Sequence, residues 1–351
     1  MQATAEEGRR SRRTRLRELM DRRQLGAIVL RRPENFAWYT GGGNTRVEYA
    51  SPVGVADLVV TADAEAVLTS TIEGPRMRAE EAPGIEVFEY PWHEGPDSLL
   101  HAMTGGLALG ADVPLAGAAA LGPDLRTMRQ VLDRDAIERL RGIGADLDAA
   151  LRDAADAVEP GVSEHEVAAA IARGCRRRGL VPTVLLAATD ERIRRHRHPL
   201  PTATPIERRA MLVASAQRGG LYANLTRIVN LEQPDPEVDR RQAACDEILV
   251  RMREEATRPG RTLAEAFGDC RRFYADAGFS EQWRLHHQGG ITGYASRETI
   301  ATPETQALIE AGQAFAWNPS ITGAKAEETF VLTASGAEVV TGHELVAGPR
   351  A

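Results

Sequence analysis

One pattern of residues occurs twice, and it constrains the fold of this 351-residue chain more than any other feature. Pro160-Gly161-Val162-Ser163 and Pro259-Gly260-Arg261-Thr262 lie 99 residues apart. Ser163 and Thr262 are of the type that caps a helix N-terminus. Glu166 and Glu265 follow them at the spacing of a capping box, in which each side chain satisfies a backbone N–H of the other. Gly179 and Gly278 stand where each helix must stop, since a left-handed C-terminal cap favours a residue without Cβ. A further helix is expected before each of these, over residues 135–158 and 240–257, and β-like segments after each. The expectation is a pseudo-symmetric α/β half made of two helix–helix–strand units.

The residues before this half alternate differently. A helix is expected over 12–24 and a short apolar strand over 25–30, stopped by Arg31-Arg32-Pro33. Gly41-Gly42-Gly43-Asn44 is a loop. Two β runs, 58–61 and 66–68, flank Ala62-Asp63-Ala64-Glu65 as a hairpin would. Strands over 85–90 and 107–109 and a helix over 121–132 complete the series. The chain exceeds the size at which single cores stop growing, so two domains are expected, 1–134 and 135–351, of mixed α/β (α+β) class. A net charge of −7 offers no electrostatic footprint for nucleic acid. The cluster Arg9, Arg10, Arg12, Arg13, Arg15 and Arg17 reads as a solvated helix start. Three scattered cysteines make neither a disulfide framework nor a zinc knuckle. No run approaches the apolar length of a membrane span, and a cytoplasmic protein is expected.

Four segments concentrate groups able to do chemistry. They are His196-Arg197-His198-Pro199; Tyr222-Ala223-Asn224-Leu225-Thr226-Arg227 after a Gly-Gly; His286-His287-Gln288-Gly289-Gly290; and Asn318-Pro319 with Lys325-Ala326-Glu327-Glu328-Thr329 behind it. Histidine is the side chain suited to proton transfer near neutral pH, and glycines directly after a His pair imply close backbone approach. Asn224 and Asn318 sit in β-like contexts that disfavour asparagine. The blander readings are a turn for each Asn, a solvated strand edge for Lys325 and Glu327, and a structural ion pair for Arg227. Acids are few here, which argues against a paired-carboxylate glycosidase and an acid-rich metallohydrolase. No nucleophile elbow or phosphate-binding loop occurs, and no cysteine is close to these segments in sequence.

These segments resemble the creatinase/aminopeptidase P (Xaa-Pro peptidase, M24-like) superfamily. Arg15-Leu16-Arg17, Leu25-Gly26-Ala27-Ile28, Pro33-Glu34-Asn35 and Tyr39-Thr40-Gly41-Gly42 resemble its non-catalytic N-terminal domain. The second half resembles its pita-bread domain, itself a pseudo-twofold of two α/β halves. The metallopeptidases of the family bind two divalent ions through two Asp, one His and two Glu. The resemblance places Val213 and Asn224 at the two Asp positions, His287 at the His, and Asn318 and Glu327 at the two Glu. Only His287 and Glu327 keep the ligand type, so neither a bound metal nor a cofactor is expected.

The resemblance therefore implies a metal-independent, creatinase-like hydrolase that cleaves a C–N bond in a small polar substrate, with elimination left open. His198 or His196 would be the acid/base and His287 its partner. Asn224, Asn318, His286, Gln288, Tyr222, Arg227, Lys325 and Glu327 would bind the substrate. Two alternatives stay open: an Xaa-Pro metallopeptidase with one loose ion on His287, Glu327 and Asn224, and a non-catalytic binding module. A homodimer is implied by analogy, with no nucleic-acid or membrane partner.

Overall fold

A computed structural model of the chain describes residues 2–342, so the end of the expected second domain, residues 343–351, lies outside them. The chain divides into two compact units, Met1–Arg129 and Gln130–Ala351.

The first unit is a six-stranded mixed sheet with helices. Its central strand, Ala27–Leu30, is fully buried. It runs antiparallel to Ala56–Thr61 and parallel to Leu109–Ala111. The expected hairpin forms between Ala56–Thr61 and Glu65–Ser70. The first helix, Gln2–Arg23, starts well before residue 12. Leu16 and Leu19 of that helix are completely buried and hold it to the unit. The strand expected over 107–109 begins only at Leu109, because the Leu107 N–H is spent on the Thr104 carbonyl (2.8 Å) in the turn that closes helix Asp97–Thr104.

The second unit carries the repeat. Helices Glu164–Arg177 and Leu263–Asp276 both open on a complete capping box, Ser163 with Glu166 and Thr262 with Glu265. The correspondence extends to the backbone ahead of each helix. The Gly161 N–H donates to the Ile206 carbonyl and the Gly260 N–H to the Ile309 carbonyl. Ser163 bridges Pro205 as Thr262 bridges Leu308. Gly179 and Gly278 follow the helices at φ +70° and +82°, a conformation that costs an L side chain energy. The preceding helices are Arg134–Asp156 and Pro236–Arg251. The second is shorter than its expected range, because it widens into a π turn over Met252–Ala256.

Strands Val181–Thr189, Arg209–Arg218 and Leu221–Asn230 form one antiparallel sheet. Gly219 and Gly220, both at positive φ, close the long hairpin between the last two, as a tight primed turn demands. Paired residues share a face of a sheet and alternate along it. The pairs Val213 with Thr226 and Ser215 with Asn224 therefore present four side chains on one face. A second sheet contains Gly289–Thr292, Ala314–Trp317 and Glu328–Thr333. Trp317 is fully buried behind it, stacked on Phe315, and its indole N–H donates to Thr257 Oγ1 (2.9 Å).

Each cap is a separable contribution to stability. Ser163→Ala and Thr262→Ala should each cost about 1 kcal/mol, and the double variant should lose the sum, read from urea unfolding midpoints. The Glu166 and Glu265 carboxyls are held below their ordinary range by the backbone and hydroxyl of their capping partners. A depressed carboxyl pKa adds stability above the unfolded value of 4.5 and loses it as pH falls through the folded value. The penalty of Glu166→Gln should accordingly be present at neutral pH and fade in acid, measured as Tm against pH.

Candidate functional site

A cavity of about 220 Å³ opens on the hairpin face that carries Val213, Ser215 and Asn224. Val184 and Leu186 of the neighbouring strand make its apolar side. His198 closes another side from the loop after helix Asp190–Arg195. His287, Ser296, Arg297, Asn318, Lys325 and Glu327 complete the lining from the second half of the repeat. All five positions that the resemblance assigns to metal ligands thus face one cavity.

Local geometry explains how each reaches it. Gly289 and Gly290 lie at φ +98° and +148° beside strands. A Cβ on Gly289 would collide with the Ala316 carbonyl, and one on Gly290 with the Thr299 carbonyl. Only glycine permits this pairing, and it leaves His286 and His287 at the strand's mouth. The two rings stack with centroids 4.5 Å apart. His286 Nε2 lies 2.9 Å from His198 Nε2, a distance that one N–H and one lone pair can bridge.

Asn224 survives inside a strand because its polar atoms are matched. Its Nδ2 donates to Thr292 Oγ1 (3.3 Å), and its Oδ1 accepts from Ser296 Oγ (3.2 Å), which also contacts Ser215 Oγ (3.1 Å). Asn318 is equally buried, but its Oδ1 has no hydrogen-bond partner.

Glu327 is the centre of the charge arrangement. Its Oε2 accepts from Lys325 Nζ (2.8 Å) and Thr226 Oγ1 (3.0 Å), and its Oε1 from Arg297 Nη2 (2.7 Å). Burial pushes its carboxyl up, but Lys325 and Arg297 outweigh that and hold it at about 2. The same cations act on the imidazoles. Burial, then the field of Arg297 and Lys325, brings His287 down to about 4. Burial and Lys325 bring His286 to about 2 and also lower His198. All three rings are thus biased toward the uncharged imidazole.

Of the other residues singled out in the sequence, His286, His196, Gln288, Arg227 and Tyr222 lie off the lining. His196 is exposed at the end of helix Asp190–Arg195, so His198 is the histidine of that segment that faces the cavity. Gln288 is saturated within the core, accepting from Tyr274 Oη (2.8 Å) and donating to the Trp283 and His286 carbonyls. Arg227 is buried in an ion pair with Asp148. Tyr222 shares the hairpin face of Asn224 but lies nearer the turn and outside the lining, its N–H donating to the Gly293 carbonyl (2.8 Å). Lys325 and Glu327, open to a reading as a solvated edge, are 5% and 4% exposed. Cys270, distant in sequence, has its Sγ 3.9 Å from Gln288 Oε1, but burial pushes its thiol far up and leaves it inert.

Ser215, Ser296 and Arg297 had no individual signal in the sequence. The pairing register found Ser215, and the turn after Tyr294 brought the other two in. Arg297 stands seven residues beyond Gly290, a spacing that points to nothing by itself.

The donor set does not fit the pair of divalent ions bound by the resembled metallopeptidases. Hard ions need several anionic oxygens. The five positions offer one carboxylate, one imidazole, two amides and a valine, and the carboxylate is already held by two cations. Among the described residues, the nitrogens of His198, His286 and His287 form the one group of three ligand-type atoms close enough to share an ion, all within 4.8 Å. Lys325 and Arg297, which line the same cavity, also oppose a metal cation among these rings.

Comparison with known proteins agrees with this fold. Residues 138–334 match metallopeptidase family M24, and residues 12–143 match the creatinase/prolidase N-terminal domain. A probable dipeptidase PepE of Mycobacterium tuberculosis is 26% identical over 317 residues, 82% of this chain and 84% of that protein. The prolidase of Pyrococcus horikoshii superposes with a TM-score of 0.82 at 19% identity, covering 96% of this chain and 99% of its own. Dipeptidase PepE of Mycobacterium ulcerans gives 0.78 at 20% identity, with 97% of each chain covered. With the family profile spanning more than half of its length, the chain is a member of metallopeptidase family M24, a two-domain, peptidase-like hydrolase with the pita-bread fold.

Proposed function

We propose that this protein hydrolyses a C–N bond of the amide or peptide kind in a small polar substrate, using imidazoles and fixed side-chain cations in place of the family's metal pair. The observation that carries this reading is the convergence of His198, His287, Arg297, Lys325 and Glu327 on one cavity at the family's reaction centre. The dipeptidase and prolidase relatives support a peptide-like substrate. Loss of the acidic ligands supports a mechanism carried by the protein's own groups.

The chemistry follows from the protonation states. Hydrolysis adds a water oxygen to the carbonyl carbon and transfers a water proton to the departing nitrogen. An uncharged imidazole can take that proton and return it. His198 lines the cavity and is open to solvent, so it can meet both water and substrate. His286, 2.9 Å from it, fixes its ring and shares its Nε2 position. Lys325 and Arg297 line the same cavity and would stabilise the negative charge that develops on the carbonyl oxygen. Fixed donors in a water-poor site are the largest single contribution in many enzymes. The analogy further assigns a homodimer acting in the cytoplasm. No helix among the described residues is long and apolar enough to cross a membrane.

The test joins metal content to turnover. Protein purified without chelator should carry less than about 0.1 ion per chain, before and after dialysis against manganese or cobalt. It should hydrolyse members of a panel of Xaa-Pro and other dipeptides and small amides equally well in EDTA. His198→Ala should lower kcat by about 10²- to 10⁴-fold, whereas His196→Ala should leave it unchanged. One or two ions per chain with metal-dependent turnover would refute the mechanism and establish a metallopeptidase.

A further inference from the structure

The two halves of the repeat differ at one buried position. Glu164 is the first residue of helix Glu164–Arg177, and Leu263 holds the same place in helix Leu263–Asp276. Both are completely buried. Their backbones are held alike, the Glu164 N–H donating to the Thr204 carbonyl (3.0 Å) and the Leu263 N–H to the Ala307 carbonyl (2.9 Å). The next residues repeat the pattern, His165 with Thr202 and Ala264 with Thr305. An apolar side chain therefore satisfies the packing of this position, as Leu263 shows. A carboxylate removed from water costs free energy unless donors surround it, so packing alone does not account for Glu164.

The donors that surround Glu164 come from one stretch of chain. Its Oε1 accepts from the Thr189 N–H (3.0 Å), and its Oε2 from the Thr202 N–H (2.9 Å) and Thr202 Oγ1 (2.7 Å). Arg192 Nε donates to both oxygens, at 2.9 and 3.0 Å. Arg192 Nη2 in turn donates to the Leu200 carbonyl (2.7 Å), two residues from His198. Thr189 ends strand Val181–Thr189, and Thr202 lies beyond helix Asp190–Arg195 and its following loop. His198 sits in that loop, between the two anchors. Residues 196–204 belong to no helix or strand, so side-chain bonds set their course. On the near side of His198, Arg197 donates to Ser320 Oγ (3.2 Å), Gln282 Oε1 (2.9 Å) and Thr322 Oγ1 (3.1 Å).

We propose that Glu164 is a positioning residue for His198, its carboxylate fixing both ends of the segment that carries the imidazole to the cavity. Glu164 itself lies off the cavity lining and touches no reacting group. It acts through Thr189, Arg192 and Thr202, and Arg197 completes the hold from the other half of the repeat. The role rests on the reading of His198 as the acid/base. In the second half no histidine loop hangs on the equivalent position, and leucine suffices there.

The test is a double-variant cycle with a structural readout beside it. Glu164→Gln keeps the shape and removes the charge and one acceptor. It should lower kcat on the best substrate of the panel by about 10²-fold, with KM within about threefold of the parent. On a His198→Ala background the same change should cost less than about threefold, because the group it positions is gone. A merely structural role would give the same loss on both backgrounds. The second readout is the His198 ring signal in protein labelled with ¹⁵N-histidine, assigned by its disappearance in His198→Ala. Glu164→Gln should shift or broaden that signal and leave those of His93 and His101 in place. Should Glu164→Gln fail to fold, Thr202→Val, which removes one hydroxyl donor and keeps the shape, should disturb the same signal and lower kcat less, again only where His198 is present. Equal losses on the two backgrounds, or an unmoved His198 signal, would overturn the proposal. If the ring signal moves while no substrate is hydrolysed, the positioning stands and only the hydrolase reading fails.

Discussion

The hydrogen bonds of Glu327 hold the site together. One carboxylate joins three segments: Thr226 on the long hairpin, Arg297 in the turn after Tyr294, and Lys325 two residues away. Buried charge of this kind is stable only if every member is held. The unit places a cation on each side of the acid, and from there it reaches the histidines electrostatically. Burial, with Lys325 at all three rings and Arg297 at His287, biases His198, His286 and His287 toward the uncharged form. The apolar residues Val184, Leu186 and Val213 on the other side keep the dielectric low, which strengthens every charge interaction in the cavity.

The second half of the fold was legible because its signals are local. A hydroxyl, an acid three residues later and a glycine at the end define a helix without reference to anything distant, and both copies of that pattern became helices at the expected places. Misses occurred where distant or weakly signalled contacts decide. The π turn over Met252–Ala256 has no local sign. The start of the first helix before residue 12 also escaped, although the arginine cluster from Arg9 was read as a solvated helix start. The strand near Leu107 shifted because one turn hydrogen bond claimed its first N–H.

The site divides along the same line. Histidines next to Gly-Gly, and asparagines where strands disfavour them, are anomalies visible in one dimension, and Asn224, Asn318 and His287 do reach the cavity. Gln288 is an equally conspicuous residue, and the structure spends it on Tyr274 and two carbonyls. Polarity in a sequence shows that a group needs a partner, not whether that partner is substrate or protein. His196 and His198 differ only in side-chain direction beside Pro199, which no spacing rule resolves. Ser215 and Arg297 have no local anomaly and needed the pairing register and the turn to be found.

The residues that make the repeat fold and those that face the cavity are almost disjoint. Capping boxes, positive-φ glycines and the bridges at Pro205 and Leu308 lie at the helix ends. Val213, Asn224, Asn318 and Lys325 take no part in them. A scaffold organised this way tolerates exchange of its reactive groups without having to solve its folding problem again. Carboxylates can give way to a valine and two amides, and a lysine can stand beside the remaining acid, while both helix–helix–strand units assemble by unchanged rules. The duplicated architecture is thus a chassis, on which one kind of reaction centre can be exchanged for another.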